Sequence, residues 1–361
     1  MGPVTCCKLV DHFGSPEKVL AAPVAELAAL CRLRRESRTA LGEGNRDNLL
    51  EQAQKEIDRA AGKNVSLLAL DDPRYPPLLK NIHDPPAVLY VLGDPKALQG
   101  KNIGMVGSRA ASHYGKSIAL QMAQGLANRD FTIVSGMALG IDTAAHTGAL
   151  AAKGRTIAVL GCGLDVIYPP GNRKLYSEIS ASGAVVSEYP LGTLPESFRF
   201  PARNRIISGL SLGIVVVEAA KRSGALITAQ NALEQGREVF AVPGRIDSVK
   251  SAGTHSLLQQ GAKLVQGVSD IAEEFSHLHQ PVKRDQPQPD GAEKAGSAAL
   301  SSEEAALFAC LDVYPRTLDE ITRESGLTPQ KSCELLLLLE LKGVAESLPG
   351  NAYRKTSALT R

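Results

Sequence analysis

The chain has 361 residues and a formal net charge of +2, from 40 basic and 38 acidic side chains, with 43% hydrophobic and 22% charged residues. Those fractions exclude a largely disordered chain, and the length allows two or three domains of ordinary size. No apolar run reaches the ~18 residues of a membrane span; the nearest, residues 206–217, is interrupted by Ser208 and Ser211.

The N-terminus has no basic stretch followed by an apolar core, so no signal peptide is expected. The six cysteines are dispersed and form no C-x-x-C pair. A disulfide framework and a zinc site are therefore not expected, and a reducing cytoplasm is the simplest compartment. His277 and His279 read as a solvated pair in a polar linker. No metal or cofactor is expected.

Residues 1–65 read as a small α-helical module. Phe13-Gly14-Ser15-Pro16-Glu17 ends one helix and caps the next with Ser at the N-cap and Pro at N1. A charged helix over 46–61 closes at Gly62. Residues 66–100 come next as a proline-rich lead-in with one strand over 87–92, stopped by Gly93-Asp94-Pro95.

From residue 101 to about 275, short apolar runs alternate with amphipathic helices. Strands are expected over 103–106, 132–135, 156–160, 184–187, 213–217, 238–242 and 263–265. Near-continuous apolar strands alternating with helices predict a mostly parallel sheet covered on both faces, with right-handed crossovers: a Rossmann-like α/β domain spanning 66–275. Residues 276–300 lose periodicity and read as a flexible proline-rich linker. In 301–361, Ser301-x-x-Glu304 and Thr317-x-x-Glu320 fit capping boxes, and Thr328-Pro329 opens a helix that stops at Gly343. Three helices and a hairpin make this a winged-helix domain.

Ligands in open parallel sheets bind at the carboxyl ends of the strands, where helix N-termini suit phosphate. After the first strand of the domain stands Gly107-Ser108-Arg109, with a helix from about Ser112. It reads equally as a phosphate grip or a turn with a surface arginine. After the second stands Ser135-Gly136, where small residues let a backbone approach a ligand; Asp142 reads better as a helix-start acid. Arg173 and Tyr176 are three apart and share a helical face, so they could hold a phosphate and stack a base, or be a solvated cation and a half-buried ring. Phe198-Arg199-Phe200-Pro201-Ala202-Arg203-Asn204-Arg205 is the most informative basic segment: arginines interleaved with aromatics suit single-stranded nucleic acid. Ser223-Gly224 opens another helix ready for an anion.

Residues 101–265 hold 17 Lys+Arg against 10 Asp+Glu, a surplus of 7 where the whole chain has 2. Basic charge therefore concentrates in the sheet domain, as for a phosphate-bearing partner. There is no P-loop and no G-x-S-x-G elbow, and Gly161-Cys162-Gly163 does not extend to G-x-G-x-x-G, since Val166 holds the last position. Glu188 and Glu218 come after strands and could act as bases, but no nucleophile accompanies them. The late stretch 254–265, containing His255, Leu258 and Leu264, reads as a sheet edge that a two-fold partner could cover.

Five ordered segments, Gly107-Ser108-Arg109, Ser135-Gly136-Met137-Ala138-Leu139-Gly140-Ile141-Asp142, the stretch from Gly163-Leu164-Asp165 to Asn172, Phe200-Pro201-Ala202-Arg203-Asn204-Arg205-Ile206-Ile207 and Ser223-Gly224-Ala225-Leu226-Ile227-Thr228-Ala229, resemble the bacterial DNA processing protein A family (DprA, also called Smf). The resemblance runs from about Asp71 to Val265. It implies a protein that binds single-stranded DNA, protects it during natural transformation and loads the recombinase RecA onto it, as a homodimer formed through the sheet domain and not as an enzyme. It places Arg109, Arg173, Tyr176 and Arg203 to Arg205 in the DNA site, and a sterile-alpha-motif-like or helix-hairpin-helix module ahead of the sheet. That module usually starts with a helix leading into Gly-x-Gly-Pro; here Met1-Gly2-Pro3-Val4 begins inside the motif, so either the start is misassigned or the module lacks its first helix.

The rival reading is an enzyme of the lysine-decarboxylase-like nucleotide phosphoribohydrolases, a related fold with a P-G-G-x-G-T-x-x-E motif; residues 223–228 lack its glutamate. A transcription factor reading DNA through the winged helix would carry its basic charge in the wrong domain. The third helix of that domain has only Lys331 and Lys342 as cations and a run of five leucines, which favours contact with protein over DNA.

Overall fold

The computed structural model describes residues 2–42, 45–276, 301–312, 315–348 and 350–355. The chain divides into two compact units, Met1–Leu278 and His279–Arg361. Residues 277–300, nearly all of the expected linker and both of its histidines, lie outside the described residues.

The first unit begins with five helices: α1 (Pro3–Phe13), α2 (Pro16–Ala21), α3 (Val24–Leu30), α4 (Arg35–Ala40) and α5 (Arg46–Ala61). Gly14 ends α1 at φ 86°, and the Ser15 hydroxyl accepts from the Lys18 N–H with Pro16 at N1. Leu9, Val19, Leu27 and Leu33 form a small core of their own, against which Leu49 at the start of α5 packs. The far end of α5 belongs elsewhere: Ala60 is buried with Val65, Tyr90 and Leu191.

Next along the chain come β1 (Val65–Ala69), α6 (Pro77–Lys80), β2 (Val88–Gly93), β3 (Lys101–Val106), α7 (His113–Ala127), β4 (Phe131–Ser135), α8 (Ile141–Ala151), β5 (Thr156–Val159), α9 (Arg173–Ser182), β6 (Ala184–Ser187), α10 (Arg199–Gly209), β7 (Gly213–Val216), α11 (Gly224–Glu234), β8 (Glu238–Ala241), α12 (Ala252–Gln259), β9 (Lys263–Leu264) and α13 (Val268–Glu274). The nine strands order as β1-β2-β6-β5-β4-β3-β7-β8-β9. From β6 to β9 every pairing is parallel. At the other edge β1 pairs β2, and β2 pairs β6, both antiparallel. The strand β1 was not expected from the sequence: five residues, VSLLA, beside a charged helix carry too little pattern, and only pairing with β2 reveals them.

Both faces of the parallel strands are apolar because both are covered. Met105, Ile133, Val215 and Val217 point to the side of α7, α8 and α13. Val106, Val134, Ile214 and Val216 point to the side of α10, α11 and α12. The chain winds outward in both directions from β3, which lies between β4 and β7. That reversal opens a crevice at the carboxyl ends of β3 and β7.

The second unit holds α14 (Ser302–Ala309), β10 (Arg316–Thr317), α15 (Leu318–Ser325), α16 (Pro329–Leu341), β11 (Ala345–Leu348) and β12 (Ala352–Lys355). Reciprocal capping boxes at Ser301 and Thr317 start α14 and α15, and the Thr328 hydroxyl caps α16. The hairpin β11–β12 is joined by β10 into a three-stranded sheet, the winged-helix arrangement. Leu335, Leu336 and Leu339 are buried with Leu307 and Ile321, whereas Leu337, Leu338 and Leu341 face solvent.

Among the described residues no helix is long and apolar enough to cross a membrane, and no group of three His, Cys, Asp or Glu is placed to hold a metal ion.

Candidate functional site

A cleft of about 590 Å³ occupies the crevice at the ends of β3 and β7. A smaller recess of about 180 Å³, reaching Gly136 and Gly161, shares Arg109, Ala138, Tyr168, Phe200 and Arg203 with it. Gly107, Ser108 and Arg109 line the cleft from β3, Phe200, Arg203 and Asn204 from α10, and Ser223 and Gly224 from the start of α11.

The Gly-Ser-Arg turn is pinned from both sides. The Ser108 N–H donates to the Glu218 carbonyl at 2.7 Å, and its own carbonyl accepts from the Ile141 N–H at 3.2 Å. Gly140, at φ 85°, lets α8 approach this turn: a Cβ there would sit 2.3 Å from the Ser108 carbonyl oxygen. The exposed Arg109 guanidinium lies 5.3 Å above the Phe200 ring, a cation–π distance. Tyr168 continues the tier, its ring 5.5 Å from that of Phe200 and tilted by 32°. Two aromatic rings and a guanidinium thus share one wall. Neither Arg109 nor the exposed, cleft-lining Arg222 forms an ion pair among the described residues.

Two helices start nearby, and they differ. At α7 the Glu218 carboxylate accepts from the Ser112 N–H at 2.7 Å and its hydroxyl at 2.6 Å. This corrects the expectation of a free N-terminus behind Gly-Ser-Arg, because a carboxylate already holds the position an anion would take. At α11 the Ser223 hydroxyl caps the Ala225 N–H, and the space about Gly224 is open. The anion-ready N-terminus of the cleft is therefore that of α11.

The arginines of the most basic segment are mostly engaged in structure. Arg205 is buried, with two parallel hydrogen bonds to Glu188 at 2.8 and 2.7 Å and a third to Asp84 at 2.8 Å. Burial works against its charge, but the two carboxylates together raise its pKa. Arg205 is thus not available to DNA, contrary to expectation. Arg199 is spent on the Leu194 carbonyl and Glu196, between the rings of Tyr189 and Phe198.

Arg203 runs under the cleft floor and donates to the carbonyls of Gly136, at 2.8 Å, and Val159. Its Nε is buried without a partner. Asp142 meets the same Gly136 backbone and accepts from the N–H groups of Gly136 and Ala138 at 3.1 and 3.3 Å. A Cβ on Gly136 would sit 2.6 Å from the Arg203 guanidinium and 2.7 Å from the Asp142 carboxylate, so only glycine fits. Burial pushes the Asp142 carboxyl up to about 6, against the pull of Arg203 and the two amides. Burial likewise lowers Arg203 to about 10 and His146 to about 3.

Other expected residues lie away from the cleft. Tyr176, on the buried face of α9, is 6% exposed, its hydroxyl donating to the Leu164 carbonyl at 2.6 Å. A ring so enclosed cannot stack a base. The Ser135 hydroxyl is buried and donates to the Met105 carbonyl. Arg173 is exposed but lines neither cavity. Glu188 and Glu218, read as spare bases, are both engaged as described. Tyr168 and Arg222 were missed; the signal lay in Tyr168-Pro169-Pro170 and in the cations just before Ser223. Leu264 is half-exposed on the edge strand β9, Leu258 packs partly against the core, and His255 Nε2 lies 3.0 Å from the Gly244 carbonyl.

A family model described as DNA recombination-mediator protein A matches residues 66–276, and a DprA winged helix domain model matches 291–351. The DNA processing protein DprA of Streptococcus pneumoniae is 49% identical over 213 residues, 59% of this chain and 75% of that protein. An X-ray structure of DprA from Streptococcus pneumoniae superposes with TM-score 0.67 at 38% identity, covering 76% of this chain and 93% of that one. A structure of DNA processing protein A from Helicobacter pylori, reported for its single-stranded DNA binding mode, superposes with TM-score 0.55 at 32% identity, covering 60% and 97%.

Proposed function

The chain belongs to the DNA recombination-mediator protein A family, and on that premise we propose that it binds single-stranded DNA in the cleft at the ends of β3 and β7 and passes it to the recombinase RecA. The observation that carries the reading is the cleft wall of Arg109, Phe200 and Tyr168 beside the open N-terminus of α11. Stacking needs only a ring face, and phosphates need cations and free N–H groups, so such a wall takes single strands with little regard to sequence. The Helicobacter pylori relative, named for its single-stranded DNA binding, supports it. The matched family model is described as a DNA recombination mediator, and that description supports a handover to a recombinase.

Hydrolysis of a nucleotide is the weaker reading. Its natural bases, Glu188 and Glu218, are held by Arg205 and by the start of α7. The winged helix is assigned to protein contact: Lys331 pairs with Glu303 and Glu334, Lys342 with Glu304, and α16 exposes the large apolar side chains Leu337, Leu338 and Leu341.

A fluorescence titration with labelled oligothymidine checks the binding. Affinity for the single strand should exceed that for duplex, and its log–log salt slope should steepen by about −0.7 per phosphate held. Equal affinity for duplex, or no salt dependence, would count against the cleft.

Dimerisation is assigned to the β9 edge, where Lys263 and Leu264 are both exposed and the short strand leaves ladder groups to cover. Leu264→Arg should turn a dimer into a monomer in light scattering; an unchanged dimeric mass would overturn this assignment.

A further inference from the structure

Helix α5 reaches across to the loop that leads into the cleft. The Glu56 carboxylate accepts from the Leu191 N–H at 2.8 Å. Arg59 donates to the Leu191 carbonyl at 3.2 Å and to Asp165 at 3.1 Å. The other oxygen of Asp165 accepts from the Gly192 N–H at 2.5 Å. Gly192 sits at φ 80°, and a Cβ there would come within 3.1 Å of the Arg59 guanidinium. On the loop's other side the Gly163 N–H donates to the Thr193 carbonyl at 2.9 Å, and a Cβ on Gly163 would stand 2.6 Å from the Pro190 carbonyl oxygen. Residues 190–193 are thus gripped between α5 and the turn after β5.

The gripped segment runs directly into the cleft. Pro195 and Ser197 line it, and three residues on stands Phe200 under Arg109. Among the described residues, no backbone hydrogen bond ties Pro195 or Ser197 to the sheet, so their position depends on residues 191–193 before them and on Arg199, which holds Leu194 and Glu196, after them. We propose that Glu56, Arg59 and Asp165 are positioning residues for the DNA cleft, through which the helical N-terminal region sets the place of the loop carrying Pro195 and Ser197. This rests on the assignment of single-stranded DNA to that cleft.

A positioning role and a direct role for Arg59 on phosphate predict opposite signs in one variant. Asp165→Ala removes a negative charge near the cleft, so electrostatics alone would tighten binding. Release of the loop would instead weaken it. Arg59→Lys keeps the charge but loses the planar fork that reaches both acceptors. Labelled oligothymidine should bind both variants about three- to tenfold more weakly, the worth of about one hydrogen bond, with the salt slope of the wild type. Melting temperatures measured alongside identify a variant that has lost its fold, in which case the other decides. Wild-type or tighter binding by folded Asp165→Ala, or a shallower salt slope for Arg59→Lys, would overturn the positioning role. Arg109→Ala run in parallel separates the two assignments: if it too leaves binding unchanged, the DNA site lies elsewhere and this inference fails with it.

Discussion

Arg205→Ala is expected to destabilise the sheet unit by about 3–5 kcal/mol, the usual cost of removing one partner from a buried ion pair. The change strands Glu188, whose side chain is 13% exposed and whose two oxygens both accept from Arg205. Asp84 loses its bonds as well, and with them one of the ties between the proline-rich lead-in and α10. Replacement of the pair by apolar groups would cost far less, because the penalty comes from the carboxylate left behind. In a thermal melt the midpoint should fall by roughly 10 °C, at a few degrees per kcal/mol for a unit of this size. Folded Arg205→Ala protein should still bind oligothymidine within a few-fold of wild type. A variant that melts normally yet fails to bind would return Arg205 to the DNA site.

A structural Arg205 reverses what the local sequence suggested, and the reason is distance along the chain. Arg203 and Arg205 look alike in Phe200-Pro201-Ala202-Arg203-Asn204-Arg205, but the partners that separate their roles, Asp84, Glu188, Gly136 and Val159, lie up to 121 residues away. The same holds for Tyr176, whose hydroxyl is consumed by Leu164, and for Glu218, whose target Ser112 lies 106 residues back. Features written in neighbouring residues were legible: the caps at Ser15, Ser301, Thr317 and Thr328, the α5 helix, and the apolar strands whose both faces are buried. The strand β2 was legible in the apolar run 87–92, but its antiparallel partner β1 was not, because β1 is defined by pairing across a proline-rich loop and not by its own periodicity. Gly107, Ser108, Arg109, Phe200, Asn204, Ser223 and Gly224 do meet in one cleft. Their common signal was position: all but Asn204, which lies in mid-α10, stand at the end of a strand or the start of a helix, where a parallel sheet gathers its ligand groups.

In the proposed complex, DNA lies against Arg109 in this cleft and not along the winged helix. Arg109 has no carboxylate partner among the described residues and is held over Phe200, and the backbone of Ser108 just before it is fixed by Glu218 and Ile141. It is therefore an ordered, unneutralised cation beside a stacking surface. A charge-assisted hydrogen bond from such a guanidinium to phosphate is worth about 1.5–3 kcal/mol, or about ten- to a hundredfold in affinity. Lys331 is already paired with Glu303 and Glu334 on a helix that exposes Leu337, Leu338 and Leu341. The deciding measurement is a side-by-side titration of labelled oligothymidine with Arg109→Ala and Lys331→Ala, both confirmed as folded by circular dichroism. A loss of about ten- to a hundredfold for Arg109→Ala, with Lys331→Ala binding as wild type, is the predicted result. Loss for Lys331→Ala with Arg109→Ala unaffected would contradict it and move the DNA site to the winged helix.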